Sequence, residues 1–318
     1  MCTAITFKTS DNYFGRTLDL EYSYNEKVII TPRNYKLSYK YTLPYNNNYS
    51  IIGVGIIENG YPLYYDAINE KGLSIAGLNF PKSCVYNDID NSKLNITSYE
   101  LIPWILRNFK TVNELKPVLT RLNITNDCFN KIYNATPLHW LISDKVSSVV
   151  LEQTELGLKI IDNEIGVLTN EPDFIAQLDN LTKYANLSPN EPKTFTPPSS
   201  RGLGAFGLPG DVSSSSRFVR ATFNKQNSIC DGDEASSINQ FLIILGSVKQ
   251  INGCVRLDDN KLEKTIYTNC YNQDKTILYY TTYNNPTITM IELYNENLDG
   301  CDLVIYNMQT ETNIICQN

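Results

Sequence analysis

Short runs of β-branched and aromatic residues, parted by tight turn signals, limit the folds open to this chain more than any other feature. They occupy 3–7, 13–18, 27–31, 51–57, 63–69 and 73–80, and Asp-Asn, Asn-Glu, Glu-Asn-Gly and Glu-Lys-Gly break them. Such runs predict strands. Thr97-x-x-Glu100 and Thr111-x-x-Glu114 each precede apolar residues at helical spacing and predict two capped helices. Strand patterns return over 138–142 and 149–161, and 173–184 reads as a helix. After a stretch rich in Pro, Ser and Gly at 189–210, helices are predicted near 215–227 and 237–248. Strands near 263–269, 277–282, 287–292 and 302–307 then complete a sheet. This order is the one expected of two sheets with helices packed outside them.

A length of 318 residues suits one large domain or two ordinary ones. The 189–210 stretch reads as an excursion within a single domain spanning 1–318, because helical patterns resume directly after it. With 27 Lys and Arg against 34 Asp and Glu, the formal charge is −7. Neither that balance nor any basic run suits a phosphate backbone, so no nucleic-acid partner is expected. The longest apolar stretch, 241–245, is far too short to span a bilayer, so no membrane partner is expected either. The opening Met-Cys-Thr-Ala-Ile-Thr-Phe has no basic segment followed by a long apolar run. It is therefore not a signal peptide, and a soluble cytoplasmic protein is expected.

Eight cysteines stand at 2, 84, 128, 230, 254, 270, 301 and 316, none in a Cys-x-x-Cys pair, and most read as reduced core-filling thiols. Histidine excludes more. The only one, His139, lies in the apolar Pro-Leu-His-Trp-Leu segment and reads as a strand residue. A site of several imidazoles is impossible, and a nucleophile activated by histidine would have to use this one residue.

Position 2 offers another route. Removal of Met1 before a small residue would leave Cys2 with an α-amine beside its thiol. An α-amine has a reference pKa of roughly 7.7–8.0, suited to general-base work. It can take the thiol proton directly or through a water, which replaces the histidine. Any protein can carry Cys at position 2, so the residues around it matter. A first hairpin would return Arg16 and Asp19, in Phe-Gly-Arg-Thr-Leu-Asp, beside Cys2. A guanidinium there would stabilise thiolate and a carboxylate would hold the amine, although an edge-strand charge and a turn Asp are the plainer uses of these residues.

With these residues in place, the chain resembles the choloylglycine hydrolase family of N-terminal nucleophile hydrolases, and is most like its bacterial members that act on bile salts. The likeness rests on Met-Cys-Thr-Ala-Ile-Thr at 1–6, Tyr-Phe-Gly-Arg-Thr-Leu-Asp at 13–19 and Ile-Thr-Pro-Arg-Asn-Tyr at 30–35. It continues through Tyr-Pro-Leu-Tyr-Tyr-Asp-Ala-Ile-Asn-Glu-Lys-Gly-Leu at 61–73 and Ala-Gly-Leu-Asn-Phe-Pro at 76–81. Pro-Leu-His-Trp at 137–140, Gly-Val-Leu-Thr-Asn at 166–170, Gly-Leu-Pro-Gly-Asp at 207–211 and Ser-Arg-Phe-Val-Arg at 216–220 complete it. The segment 124–136 departs from the family's substrate-loop pattern, and Thr17 stands where Asn is frequent.

The resemblance implies an α+β, αββα four-layer sandwich and an amide hydrolase with no metal and no organic cofactor. Cys2 would be the nucleophile, flanked by Arg16 and Asp19, with Arg217 completing the charged cluster. Asn79, through its backbone N–H, and Asn170, through its side-chain amide, would form the oxyanion hole. The implied substrates are bile acids conjugated to glycine or taurine. An apolar pocket for the steroid is expected from Leu18, Leu20, Tyr24, Ile56, Tyr61, Tyr65, Phe129, Ile132 and Tyr133, although core or interface packing explains any one of them equally well. A homotetramer is implied, with 189–210 as a contact. Two other readings stand beside this one. One is a penicillin V acylase of the same family, which Asn79 disfavours because Tyr is frequent there in such enzymes. The other is an inactive acyl-ligand binding protein that retains Met1.

Overall fold

The computed structural model describes residues 1–41, 47–196 and 200–318; within the expected 189–210 excursion, 197–199 lie outside the described residues. The strands begin with β1 (Cys2–Lys8), β2 (Asn12–Leu20), β3 (Lys27–Thr31), β4 (Ile51–Glu58), β5 (Tyr61–Asn69), β6 (Ser74–Asn79) and β7 (Leu94–Thr97). Helices α1 (Leu101–Asn108) and α2 (Val112–Leu119) precede β8 (Leu122–Thr125), β9 (Leu138–Ser143), β10 (Ser148–Thr154), β11 (Gly157–Asp162) and β12 (Val167–Leu168). Then come α3 (Phe174–Thr182), α4 (Ser214–Asn227) and α5 (Glu234–Gly246). The chain closes with β13 (Val255–Arg256), β14 (Leu262–Asn272), β15 (Ile277–Thr282), β16 (Thr289–Glu292) and β17 (Val304–Asn307).

Two large antiparallel sheets result. The first runs β12-β1-β2-β14-β15-β16, with β13 paired to β14; the second runs β11-β10-β9-β6-β5-β4-β3-β17. The second sheet is apolar on both faces. Val28, Ile30, Ile52, Val54, Ile68, Ala76, Leu78, Leu141 and Val150 pack toward the first sheet. The residues between them, including Ile29, Ile51, Ala67, Ile75, Trp140 and Ile142, pack under Leu101, Trp104, Ile105 and Leu115 of α1 and α2. On the far side of the first sheet, Phe7 meets Phe241 of α5, and Phe218 and Ala221 of α4 join the same core. Helices, sheet, sheet, helices is the αββα sandwich. Two-sided burial is why these strands read as continuous apolar runs rather than as an alternation.

Local differences from expectation have local causes. Thr111 caps α2 as predicted, accepting from the Glu114 N–H at 3.2 Å. Thr97 does not cap α1: it ends β7, and the helix starts only after Glu100. Pairing with β8 claims it first. That pairing joins two identical Leu-Asn-Ile-Thr segments in parallel register, and Asn123 Nδ2 donates to Asn95 Oδ1 at 2.8 Å. The 149–161 run folds back on itself as β10 and β11, with Gly157 at φ 97° in the turn. The last predicted strand does not join its three predecessors: β17 crosses to the second sheet and pairs with β3. Among the described residues no helix is long and apolar enough to cross a membrane.

Candidate active site

The β1–β2 hairpin sets Cys2 opposite Leu18 and Ala4 opposite Arg16. Side chains alternate across a strand, so Cys2, Arg16 and Leu18 share the face turned to the second sheet, while Thr3, Thr17 and Asp19 face the α4–α5 side. The predicted neighbours are therefore present but divided by the sheet. Gly15 allows this packing, since a Cβ there would meet Asn269 O at 2.1 Å.

Arg16 enters the gap where β5 and β6 part. Their pairing ends at Asp66–Ala76, and the guanidinium Nη1 donates to the Gly77 carbonyl at 2.5 Å and the Tyr65 carbonyl at 3.4 Å. Nε donates to the Thr17 carbonyl at 3.1 Å and lies 3.9 Å from the Asp66 carboxylate. Asp66 accepts from Tyr267, Asn269 and Tyr271. Among the described residues Nη2 has no partner. Burial pulls the Arg16 pKa down, but Cys2, Tyr267, Asp66 and Asp19 outweigh it and hold the cation.

Arg217 of α4 approaches from the other side of the sheet and is fully buried. Nη1 donates to the Cys2 carbonyl at 2.5 Å and to Thr3 Oγ1 at 2.7 Å, Nη2 to Asn170 Oδ1 at 2.8 Å, and Nε to the Val212 carbonyl at 3.0 Å. Burial lowers its pKa against the pull of Asp19 and Cys2. The Asp19 carboxylate accepts from Thr265 Oγ1 at 2.6 Å and Thr17 Oγ1 at 3.2 Å. Burial raises its pKa, opposed first by Arg217. The amine contact differs from expectation. The Met1 ammonium donates to the backbone carbonyl of Asp19 at 2.9 Å and pairs with the carboxylate of Glu263. Asp19 returns its own N–H to the Met1 carbonyl at 3.0 Å. Burial lowers the pKa of this α-amine.

The Cys2 N–H donates to Asn170 Oδ1 at 2.7 Å, and Asn170 Nδ2 donates to the Asn79 carbonyl at 2.8 Å. Asn79 faces Leu138 of β9, and the next residue, Phe80, donates its N–H to the Pro137 carbonyl at 2.9 Å. Asn79–Leu138 is then a non-hydrogen-bonded pair, so the Asn79 N–H points away from β9. An amide N–H and a side-chain amide stand side by side near Cys2, an arrangement able to hold an oxyanion.

Cys2, only 3% exposed, lines a cavity of about 280 Å³. Leu18, Leu20, Tyr24, Ile56, Tyr65, Phe129 and Tyr133 form its wall with Arg16 and Asn79. Two expected wall residues stand elsewhere. Ile132 is 76% exposed, turned outward from the loop before β9. Tyr61 packs on Phe129 and Tyr99, at ring-centroid distances of 5.7 and 6.1 Å, one layer behind the wall. Leu63, Tyr64, Ser98, Tyr99, Ile102 and Leu138 also line it without having been predicted. Glu263, Thr265 and Ser214, whose Oγ accepts from the Asn170 N–H at 2.8 Å, were missed as well, because no motif marks a contact across the sandwich. A larger groove of about 1020 Å³ has a mixed polar lining and includes none of the candidate site residues. His139 bonds to Glu152 and to the Thr169 carbonyl, not to Cys2.

Comparison with known proteins extends this geometry. The family model described as linear amide C–N hydrolases, choloylglycine hydrolase family, matches residues 2–306. The chain is 47% identical over 324 residues to a bile salt hydrolase/transferase of Lactiplantibacillus plantarum, covering 100% of both chains. The crystal structure of a conjugated bile acid hydrolase from Clostridium perfringens superposes with a TM-score of 0.93 at 37% identity, covering 100% of each chain. A penicillin V acylase from Agrobacterium tumefaciens, at 20% identity, shares the fold with a TM-score of 0.78 over 97% of this chain and 92% of its own.

Proposed function

Because this chain belongs to the choloylglycine hydrolase family of linear amide C–N hydrolases, we propose that it cleaves the amide joining a bile acid to glycine or taurine. One observation carries the proposal: Cys2 lines a largely apolar cavity together with Asn79, and Asn170 bonds to both of them. A rigid apolar acyl group fits such a wall, with its carbonyl directed at Cys2 and Asn79. The relatives named above support the same substrate class.

The chemistry follows from the residues. Loss of Met1 frees the Cys2 amine, which stays within reach of Asn170 Oδ1. The amine takes the thiol proton, and the sulfur attacks the amide carbon. Negative charge gathers on the carbonyl oxygen, opposite the Asn79 N–H and Asn170 Nδ2. The ammonium returns its proton to the leaving nitrogen, and glycine or taurine departs from a thioester. The amine then deprotonates a water that attacks the thioester, and the released thiolate recovers its proton. Arg16 on one side of the strand and Arg217 on the other stabilise negative charge at sulfur.

The test is turnover of glycocholate, taurocholate and penicillin V by protein shown to begin at Cys2. Preference for a bile salt is the expected result, and preference for penicillin V overturns the substrate assignment. Met1 still present on fully active protein overturns the mechanism. We also place the enzyme in the cytoplasm as a single-domain homotetramer. Phe206, exposed on the 189–210 excursion, supports an assembly contact there, and light scattering on the purified chain decides the oligomeric state.

A further inference from the structure

The lone histidine has no part in the steps above, yet it touches both halves of the oxyanion site from within. His139 is fully buried on β9, opposite Leu78 of β6. Its ring lies flat on Phe80, with centroids 4.3 Å apart and planes 7° from parallel; Phe80 directly follows Asn79. Nε2 stands 2.8 Å from the Thr169 carbonyl; Thr169 directly precedes Asn170. A carbonyl only accepts, so Nε2 carries a hydrogen. Nδ1 is 3.0 Å from Glu152 Oε1, which also accepts from the Phe174 N–H at 3.0 Å. A proton lies on the Nδ1–Oε1 line whichever group holds it, so the ring is fixed at both nitrogens and on one face.

Resting on the assignment of Asn79 and Asn170 as oxyanion donors, we propose that His139 is a positioning residue that sets the spacing between them. Two other ties join the 79–83 and 169–171 segments. Asn170 Nδ2 bonds the Asn79 carbonyl, and Glu171 accepts from the Lys82 and Ser83 N–H groups and the Ser83 hydroxyl. Both lie at least partly in reach of solvent, where water can replace a lost partner. The His139 tie is buried throughout. Without it, the Thr169 carbonyl is stranded in the core, and the segment carrying Asn170 must move to recover a partner. A shift of about 1 Å in a catalytic group can lower a rate about 10²-fold.

The test compares His139→Phe, which keeps the ring on Phe80 but removes both nitrogens, with His139→Gln, which restores a donor toward Thr169. Turnover is counted per Cys2 thiol of folded protein, with the folded fraction set by denaturant unfolding, because the seven other free cysteines also react with thiol reagents and unfolded chains keep theirs. His139→Phe is expected to lose about 30-fold or more in kcat with KM within about twofold, and His139→Gln to regain most of it. Unchanged kcat per thiol in His139→Phe, with only a lower Tm, makes the residue a core filler and overturns the proposal. If that variant does not fold, Glu152→Gln keeps an acceptor for Phe174 while disturbing the ring; full kcat per thiol there overturns it equally. Asn170→Ala, run alongside, separates the failures. Full turnover in Asn170→Ala sinks the oxyanion assignment itself, whereas loss there with none in His139→Phe sinks only this proposal.

Discussion

The charged cluster around Cys2 and the cavity wall in front of it are held by different forces. In the cluster, Cys2, Arg16, Asp19 and Arg217 are buried on strands and a helix, and Arg16 and Arg217 each make at least three hydrogen bonds. On the wall, Tyr24, Phe129 and Tyr133 come from segments outside the strands, and rings meet as Tyr24 meets Tyr22 at 4.8 Å and Phe129 meets Tyr99 at 5.1 Å. Polar geometry tolerates no exchange of residue type, while apolar area does. Substitutions that break the cluster's hydrogen bonds should therefore act on kcat and stability together, an isosteric change at the sulfur on kcat alone, and those on the wall on KM alone.

Cys2→Ser probes the cluster most severely. It should lose about 10³-fold or more in turnover, because an alkoxide is far harder to form than a thiolate, with Tm almost unchanged. Undiminished rates would remove Cys2 from the chemistry. Arg217→Ala takes a donor from the Cys2 carbonyl, Thr3 and Asn170 and leaves Asp19 without its strongest opposing charge. A loss of about 10²-fold in kcat and about 3 kcal/mol of stability is expected, by kinetics and denaturant unfolding. Lost stability with kcat per folded enzyme intact would make Arg217 purely structural. Phe129→Ala should raise KM about tenfold with kcat nearly constant, since it removes apolar contact made equally in ground and transition states. A fall in kcat of the same size would show that the wall also aligns the scissile bond. The smallest effect is remote from both regions. Thr111→Ala should cost about 1 kcal/mol and Thr97→Ala clearly less, with activity unaffected, because only Thr111 caps a helix. Equal costs would contradict the observed helix start.

Legibility in the sequence tracks the distance over which a contact acts. Arg16 and Asp19 could be placed beside Cys2 because one hairpin connects them and pleat parity is local. Asn79, Asn170 and Arg217 came from resemblance alone, since nothing in their own segments distinguishes them from turn or capping residues. Glu263 and Thr265 stayed invisible: their partners, Met1 and Asp19, lie some 250 residues earlier in the chain. Tyr61 and Ile132 show the same limit on the wall, where an aromatic or aliphatic residue in the right segment can face the cavity, its backing layer or solvent.

Short apolar runs between turn signals, a first hairpin and a cysteine at position 2 determine by themselves that sheets form and that a thiol stands at the start of one. Only the closed sandwich decides that β17 leaves its sequential neighbours for β3, that Arg217 reaches the Cys2 carbonyl, and that β5 and β6 part where Arg16 enters. Backbone pairing and side-chain parity are short-range and can be read from neighbouring residues. Which buried donor meets which acceptor depends on how two sheets and their helices pack, and that is settled only when all four layers are in place.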